Sequence, residues 1–300
     1  MKTFDQILSQ FLTNVKIRVK DKTYSSYKGK AKVFSEWLTL HGFSETPLAE
    51  INEQTIEQFS IYLANERKLD KSTCQKYFIG LRQVFKYAMV RSEIKELPFN
   101  LFVLPQKGKD CSAQVIPRES SKILLEDIRK HDKQLYLACM MEYYTFLRPG
   151  KELRLLKVRD IDFNKGTISV SQEHAKNGHK RIVTVPSQLS QILSELRIDM
   201  ADKDLYVFGR NKKPDNKPCG INMLGYRFRK YRDRNGLSDG YKLYSMKHQG
   251  CSLLHAQGNV SMLTLMTQLG HSSLSASQHY LHRIGGAVDQ TIKTQFPNPY

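Results

Sequence analysis

Apolar residues recur at helical spacing in four separate stretches of the first hundred positions, and then the pattern stops. Phe4, Ile7, Leu8, Phe11, Leu12 and Val15 make the first stripe, at intervals that bring side chains to one face of a helix. Tyr27, Ala31, Phe34, Trp37 and Leu38 make the second. Ile56, Phe59 and Leu63 make the third, opened by the cap-like Asn52. Tyr77, Leu81, Val84, Phe85, Ala88 and Met89 make the fourth, opened by Ser72 or Thr73. Gly42 and Pro47 punctuate the gap between the second and third. Four helices with short connections predict a bundle over residues 1–100, large enough for a core of its own. Pro98, Pro105 and Gly108 then fall in a stretch without period, which predicts a linker over 101–117.

The rest of the chain is mixed. Helical patterns cover 119–131 and 134–146. A β pattern follows within Asp160–Val185: residues 167–170 alternate, Asn177-Gly178 is a hairpin-turn signal, and residues 181–185 alternate back. Helices resume at about 187–199, 221–234, 245–256, 260–268 and 273–281. The fold class is therefore mainly α with a small β-hairpin or sheet: a four-helix domain, then a mixed α/β domain over 118–284. Residues 285–300 form a tail with a weak apolar pattern (Ala287, Val288, Ile292, Phe296) and two prolines.

Charge narrows the function. Lysine and arginine total 47 against 29 acidic residues, a formal net charge of +18, and the excess is present in both segments. That imbalance points to a polyanion, nucleic acid first. A membrane-surface protein would instead concentrate its charge on one amphipathic helix. There is no apolar run long enough to span a bilayer and no signal-peptide pattern at the N-terminus. Five cysteines without a CxxC pair read as reduced thiols of a cytoplasmic protein. Neither phosphate-binding glycine motif is present, and His271, His279 and His282 lack the carboxylate or cysteine that would complete a metal set. No cofactor is expected.

Several residues of the second segment could carry chemistry. Arg148 precedes Pro149 at a helix start, where it could meet phosphate. Lys176 sits beside Asn177-Gly178. Leu269-Gly270-His271-Ser272 marks another helix entry, and Tyr280 follows in Gln278-His279-Tyr280-Leu281-His282. Singly, these read as a surface arginine near a cap, a solvated turn lysine and a packing tyrosine. Together they resemble the catalytic domain of the tyrosine recombinases, or phage-integrase family. The segment Thr145-Phe-Leu-Arg148-Pro-Gly resembles the family's first arginine motif. Leu243-Tyr244-Ser-Met-Lys247-His248 lies where the family has H-x-x-R-H. The segment from Leu269 through Gly270 and His271 to Tyr280 resembles its L-G-H…Y ending, and Lys176 falls on its hairpin lysine. The first domain looks like the family's core-binding domain, so the resemblance covers nearly the whole chain.

The resemblance implies a site-specific DNA recombinase that works without metal or ATP. Tyr280 would attack the scissile phosphate, forming a 3′-phosphotyrosyl link and freeing a 5′-hydroxyl. Arg148, Lys247 and His271 would stabilise the phosphoryl oxygens, and Lys176 would protonate the leaving oxygen. Partners would be double-stranded DNA, clamped between the two domains, and further copies of the chain. Family members act as homo-tetramers on two DNA sites and pass a C-terminal segment to a neighbour, with accessory DNA-bending proteins as a further partner class. Lys28, Lys30, Lys32, Arg227, Arg229 and Lys230, taken from two basic clusters, would hold the DNA backbone.

Two positions depart from the family. Tyr244 stands at its histidine, and Lys247 at its second arginine, where lysine keeps the charge but loses the planar fork. Arg148 and Glu152 are also one residue further apart than R-x-x-E, which predicts an offset in the helix after Arg148. These departures favour one alternative, a catalytically impaired DNA-binding regulator of the same fold. A type IB topoisomerase, which shares the chemistry, is the other.

Overall fold

The computed structural model describes residues 1–99 and 113–284. The chain divides into two compact units, Met1–Asp110 and Cys111–Tyr300.

The first unit is four helices, α1 (Phe4–Lys16), α2 (Asp21–Leu40), α3 (Glu53–Asn65) and α4 (Lys71–Val90). Each forms where a stripe predicts it, because burying that stripe is what stabilises a helix of this length in water. Phe34 lies at the centre, with the rings of Phe4 and Phe59 edge-on to it at 4.8 Å each. Asn52 caps α3 by accepting from the Thr55 backbone N–H. Helix α4 begins before Ser72, because the Asp70 carboxylate accepts from both the backbone N–H and the hydroxyl of Thr73.

The second unit contains α5 (Arg118–His131), α6 (Lys133–Thr145), α7 (Ser187–Glu195), α8 (Met223–Arg234), α9 (Ser245–Ala256), α10 (Met262–Leu269) and α11 (Leu274–Ile284). Strands β1 (Ile161–Asp162), β2 (Thr167–Val170) and β3 (Arg181–Thr184) form an antiparallel sheet in that order. Helix α6 is buried on nearly all sides, which fits its lack of a polar face. Helix α9 packs directly on it: Gly250 touches the Tyr143 carbonyl, and no Cβ fits there. Of the predicted linker, 101–112 lie outside the described residues. The last part, 113–117, belongs to this unit, with Ile116 in its core and Gln114 N–H bonded to the Gly240 carbonyl. The tail 285–300 also lies outside the described residues.

Strands β2 and β3 pair as the alternation predicts, with Val170 opposite Arg181 and Thr167 opposite Thr184. The connection differs from the expected two-residue turn. Residues 171–180 form one loop, in which Ala175 N–H returns to the Ser171 carbonyl and Gly178 (φ +72°) closes a second turn. The buried methyl of Ala175 holds this longer loop in place. Two further contacts fasten the hairpin to α10. Thr184 and Gln268 exchange backbone-to-side-chain bonds at 3.0 and 2.9 Å, and the Asn177 amide donates to the Gly270 carbonyl at 2.9 Å.

Candidate active site

Helix α6 ends at Phe146, which takes the left-handed conformation (φ 57°) and reverses the chain toward Arg148. Residues 149–153 then form a single wide turn, in which Leu153 N–H bonds to the Arg148 carbonyl five residues back. This π-type turn absorbs the extra residue between Arg148 and Glu152. The predicted offset is therefore real but local, and it returns Glu152 to Arg148. The carboxylate accepts from the Arg148 backbone N–H at 3.0 Å and from its Nη1 at 2.8 Å.

A second arginine grips the same carboxylate. Arg181, the first residue of β3, donates Nη1 to Oε1 at 3.2 Å and Nη2 to Oε2 at 2.8 Å. Burial raises the Glu152 pKa, but the Arg181 hydrogen bonds, the Arg148 N–H and both guanidinium charges outweigh it and hold the pKa at about 2. One carboxylate thus faces two cations, and the surplus is positive. Glu142 does not offset it, since burial pushes that carboxyl well above the ordinary range.

Lys247 lies differently from its expected place on the phosphate. It is fully buried on α9, and its Nζ donates to the Phe146 carbonyl at 2.7 Å. The ammonium thus satisfies an end-of-helix carbonyl of α6 at the left-handed residue. Burial, then the Arg148 charge, lower its pKa to about 7 against the attraction of Glu152. Tyr244, at the cap position of α9, is half-buried, with the Lys247 Nζ 5.7 Å from its ring centroid.

Tyr280 on α11 is buried, and its hydroxyl lies 2.6 Å from His248 Nδ1. His271 follows Gly270, the left-handed cap of α10 (φ +67°). Its ring stands edge-on to Tyr280, 5.4 Å between centroids, with Nδ1 3.0 Å from the Ser277 hydroxyl. Burial first, and then the charges of Lys247, Arg148, Arg181 and Lys176, together lower the His271 pKa to about 4. Four basic side chains from three separate segments therefore lie close enough for their charges to act on one imidazole. Lys176 is the exposed one, on the hairpin loop that Asn177 ties to Gly270.

Sequence reasoning missed two residues here. His248 served only to keep the register of its motif. Arg181 did leave a signal: alternation along β3 puts it on the inward face with buried Val183, while Ile182 points to solvent.

The basic clusters divide. Arg227, expected on DNA, is buried, and its guanidinium is taken up by the Asp132 carboxylate and the Gln134 carbonyl oxygen. Asp132 also caps α6, so Arg227 is part of the core scaffold. Its neighbours Arg229 and Lys230 are exposed, as are Lys28 and Lys32, the latter 3.6 Å from Glu36. Lys30 is half-buried, with its stem against Gly80, and burial, then Lys76, lower its pKa.

The sequence model of the Phage integrase family matches residues 114–284, and that of the phage integrase SAM-like domain matches residues 3–107. The chain belongs to the Phage integrase family. A relative described as a tyrosine recombinase, from Pseudothermotoga lettingae, is 26% identical over 287 residues, 95% of this chain and 94% of its own. The Tn1549 transposon integrase in complex with circular intermediate DNA superposes with a TM-score of 0.75 at 17% identity, covering 98% of both chains. A lambda integrase tetramer bound to a Holliday junction gives a TM-score of 0.75 at 18% identity, covering 96% of this chain and 80% of that one. These structures share the phage integrase fold. Among the described residues, no helix is long and apolar enough to cross a membrane.

Proposed function

We propose that this chain cleaves and rejoins DNA at specific sites through Tyr280. The Tyr280 oxygen attacks the scissile phosphorus as its proton passes to His248 Nδ1, 2.6 Å away, the bond to the 5′-oxygen breaks, and a 3′-phosphotyrosyl link stores the energy of the bond. The leaving 5′-oxygen takes its proton from Lys176, an exposed lysine beside Asn177, whose tie to the Gly270 carbonyl supports this role. A 5′-hydroxyl from another strand then reverses the step, joining new ends without ATP. Arg148 stabilises the charge that builds on the phosphoryl oxygens, held in place by Glu152. His271 donates to the same oxygens as a neutral imidazole.

One observation carries this reading: Tyr280 stands edge-on to His271 at 5.4 Å between centroids, and Arg148, Lys176 and Lys247 are close enough for their charges to act on that imidazole. A cation cluster with a tyrosine at its rim and one buried carboxylate to brace it suits an incoming phosphodiester. Tyr244 lines the entrance to α9 and contributes one hydroxyl donor. The net charge of +18 supports double-stranded DNA as the partner, with exposed Lys28, Lys32, Arg229 and Lys230 on its backbone. The working unit is four copies on two DNA sites, an arrangement suggested by the lambda integrase tetramer of the same fold.

The test is covalent trapping. Nicked duplexes from the DNA flanking the gene are incubated with wild type and with Tyr280→Phe, then run on a denaturing gel. An adduct in wild type alone is expected. Specific binding without an adduct would replace this reading with that of a DNA-binding regulator.

A further inference from the structure

We propose that Arg181 supplies the second phosphate-gripping guanidinium of this site, a role that residue 247 does not fill. The inference rests on the recombinase reading above and names the residue that completes its anion grip. The departure at position 247 leaves the chain one guanidinium short of the family pattern. Restoring the grip from another element needs an arginine whose fork already lies beside Arg148, with a face still open to ligand.

Arg181 meets those requirements. It and Arg148 both donate to Glu152 Oε1, so the two guanidiniums stand side by side on one carboxylate. Their side chains keep 17% and 12% exposure, whereas Lys247 is sealed at 0% with its Nζ on the Phe146 carbonyl. Guanidinium has five N–H groups. Glu152 takes one from each terminal nitrogen of Arg181, and Nε is buried with no hydrogen-bond partner. The donor set of Arg181 is therefore larger than the protein uses.

Placement supports the same conclusion. A Cβ on residue 270 would stand 2.6 Å from Arg181 Nε and 2.7 Å from Cζ. The guanidinium thus occupies the space that glycine leaves open, directly before His271. Strand β3 is fastened to α10 by the Thr184–Gln268 pair, so the arginine cannot drift along the helix end. An ammonium bonded to a main-chain carbonyl offers no planar pair of donors for two phosphate oxygens, and a guanidinium braced by a carboxylate does. Lys247 is then a positioning residue. It holds the left-handed Phe146 carbonyl, and through that turn the start of the Arg148 segment.

The experiment compares two nicked duplexes of the same flanking sequence. One carries the normal phosphodiester, and the other a methylphosphonate at the scissile position, which removes the charge of one non-bridging oxygen. Wild type, Arg181→Ala, Arg181→Lys and Lys247→Met are assayed for the rate of covalent adduct, with gel shift and thermal melting as checks on binding and folding. Arg181→Ala should slow adduct formation on the phosphodiester by about 10²–10³-fold, the usual loss for one oxyanion donor. The methylphosphonate should close most of that gap, since a neutral phosphate needs one cation fewer. Arg181→Lys, folded and charged, should stay at least about tenfold slow, because the fork is gone. Lys247→Met should be slow by the same factor on both duplexes, as a positioning role predicts.

An Arg181→Ala rate within about threefold of wild type on the phosphodiester would overturn the inference. So would a full defect on the methylphosphonate by a folded, DNA-binding Arg181→Lys, or selective rescue of Lys247→Met. Wild type that forms no adduct on either duplex overturns the recombinase reading, and this inference with it.

Discussion

The Tyr280 hydroxyl lies 2.6 Å from Nδ1 of His248, so the proposed nucleophile is hydrogen-bonded to a residue of α9. The rings of Tyr244, His248, Tyr280 and His271 follow one another at centroid distances of 4.8, 5.2 and 5.4 Å. The Tyr280 ring thus lies between two imidazoles. His248→Gln should slow adduct formation by about ten- to a hundredfold and change the slope of the pH–rate profile, if the imidazole takes the tyrosine proton. A slower rate with an unchanged profile would leave His248 as a positioning residue.

Glu152 braces both arginines, and its ionisation is linked to stability. Its pKa in the folded protein is about 2 against an ordinary 4.5, so the folded state favours the carboxylate. The stabilisation is complete above pH 4.5 and disappears as pH falls toward 2. Glu152→Gln should therefore melt at a lower temperature than wild type at pH 6, with the difference narrowing in acid. Circular dichroism melts across that range would show it. Adduct formation should fall by about 10²-fold in the same variant, because neither guanidinium is then fixed.

His271 should remain neutral through the physiological range. Its folded pKa of about 4 lies below the ordinary 6.5, so protonation opposes folding between those values, and stability rises with pH through that window. Imidazole NMR should give a midpoint near 4 in free protein. Bound DNA should raise the midpoint, because a phosphate among the four cations offsets their repulsion. A midpoint near 6.5 in free protein would mean that the cations do not surround this ring.

Arg227 and Arg229 are neighbours on α8 with opposite fates. Arg227→Ala leaves the buried Asp132 carboxylate with the Leu135 N–H cap bond and the Lys212 ammonium at 3.3 Å but without its guanidinium, and should cost about 3 kcal/mol of stability. Arg229→Ala should leave the melting temperature unchanged and weaken DNA binding, more so at low salt. Thermal melts and salt-dependent gel shifts separate the two effects. Equal loss of stability in both variants would remove the distinction.

Periodicity and turn residues were enough to place the elements. The stripes of α1 to α4, the alternation in β2 and β3 and the Asn52 cap all report local forces, and a local pattern reads directly from sequence. The L-G-H…Y segment also places its chemistry locally, since Gly270 must be left-handed for His271 to follow a helix end, and Tyr280 lies on the next helix.

What the chain alone determined, then, was two domains, a basic composition and the segment that carries His271 and the proposed nucleophile Tyr280. Three features were decided only when distant segments packed together. The wide turn after Arg148 depends on a carboxylate returning to its own arginine and to one from β3. Whether a lysine is a phosphate ligand or an internal brace depends on Gly250 letting α9 lie against α6, which buries Lys247 on the Phe146 carbonyl. Whether an arginine faces solvent or the core depends on a carboxylate far away in the chain, as Asp132 shows for Arg227. Propensity acts over a few residues, whereas the fate of a charge is set by desolvation and partners, and those exist only in the folded chain.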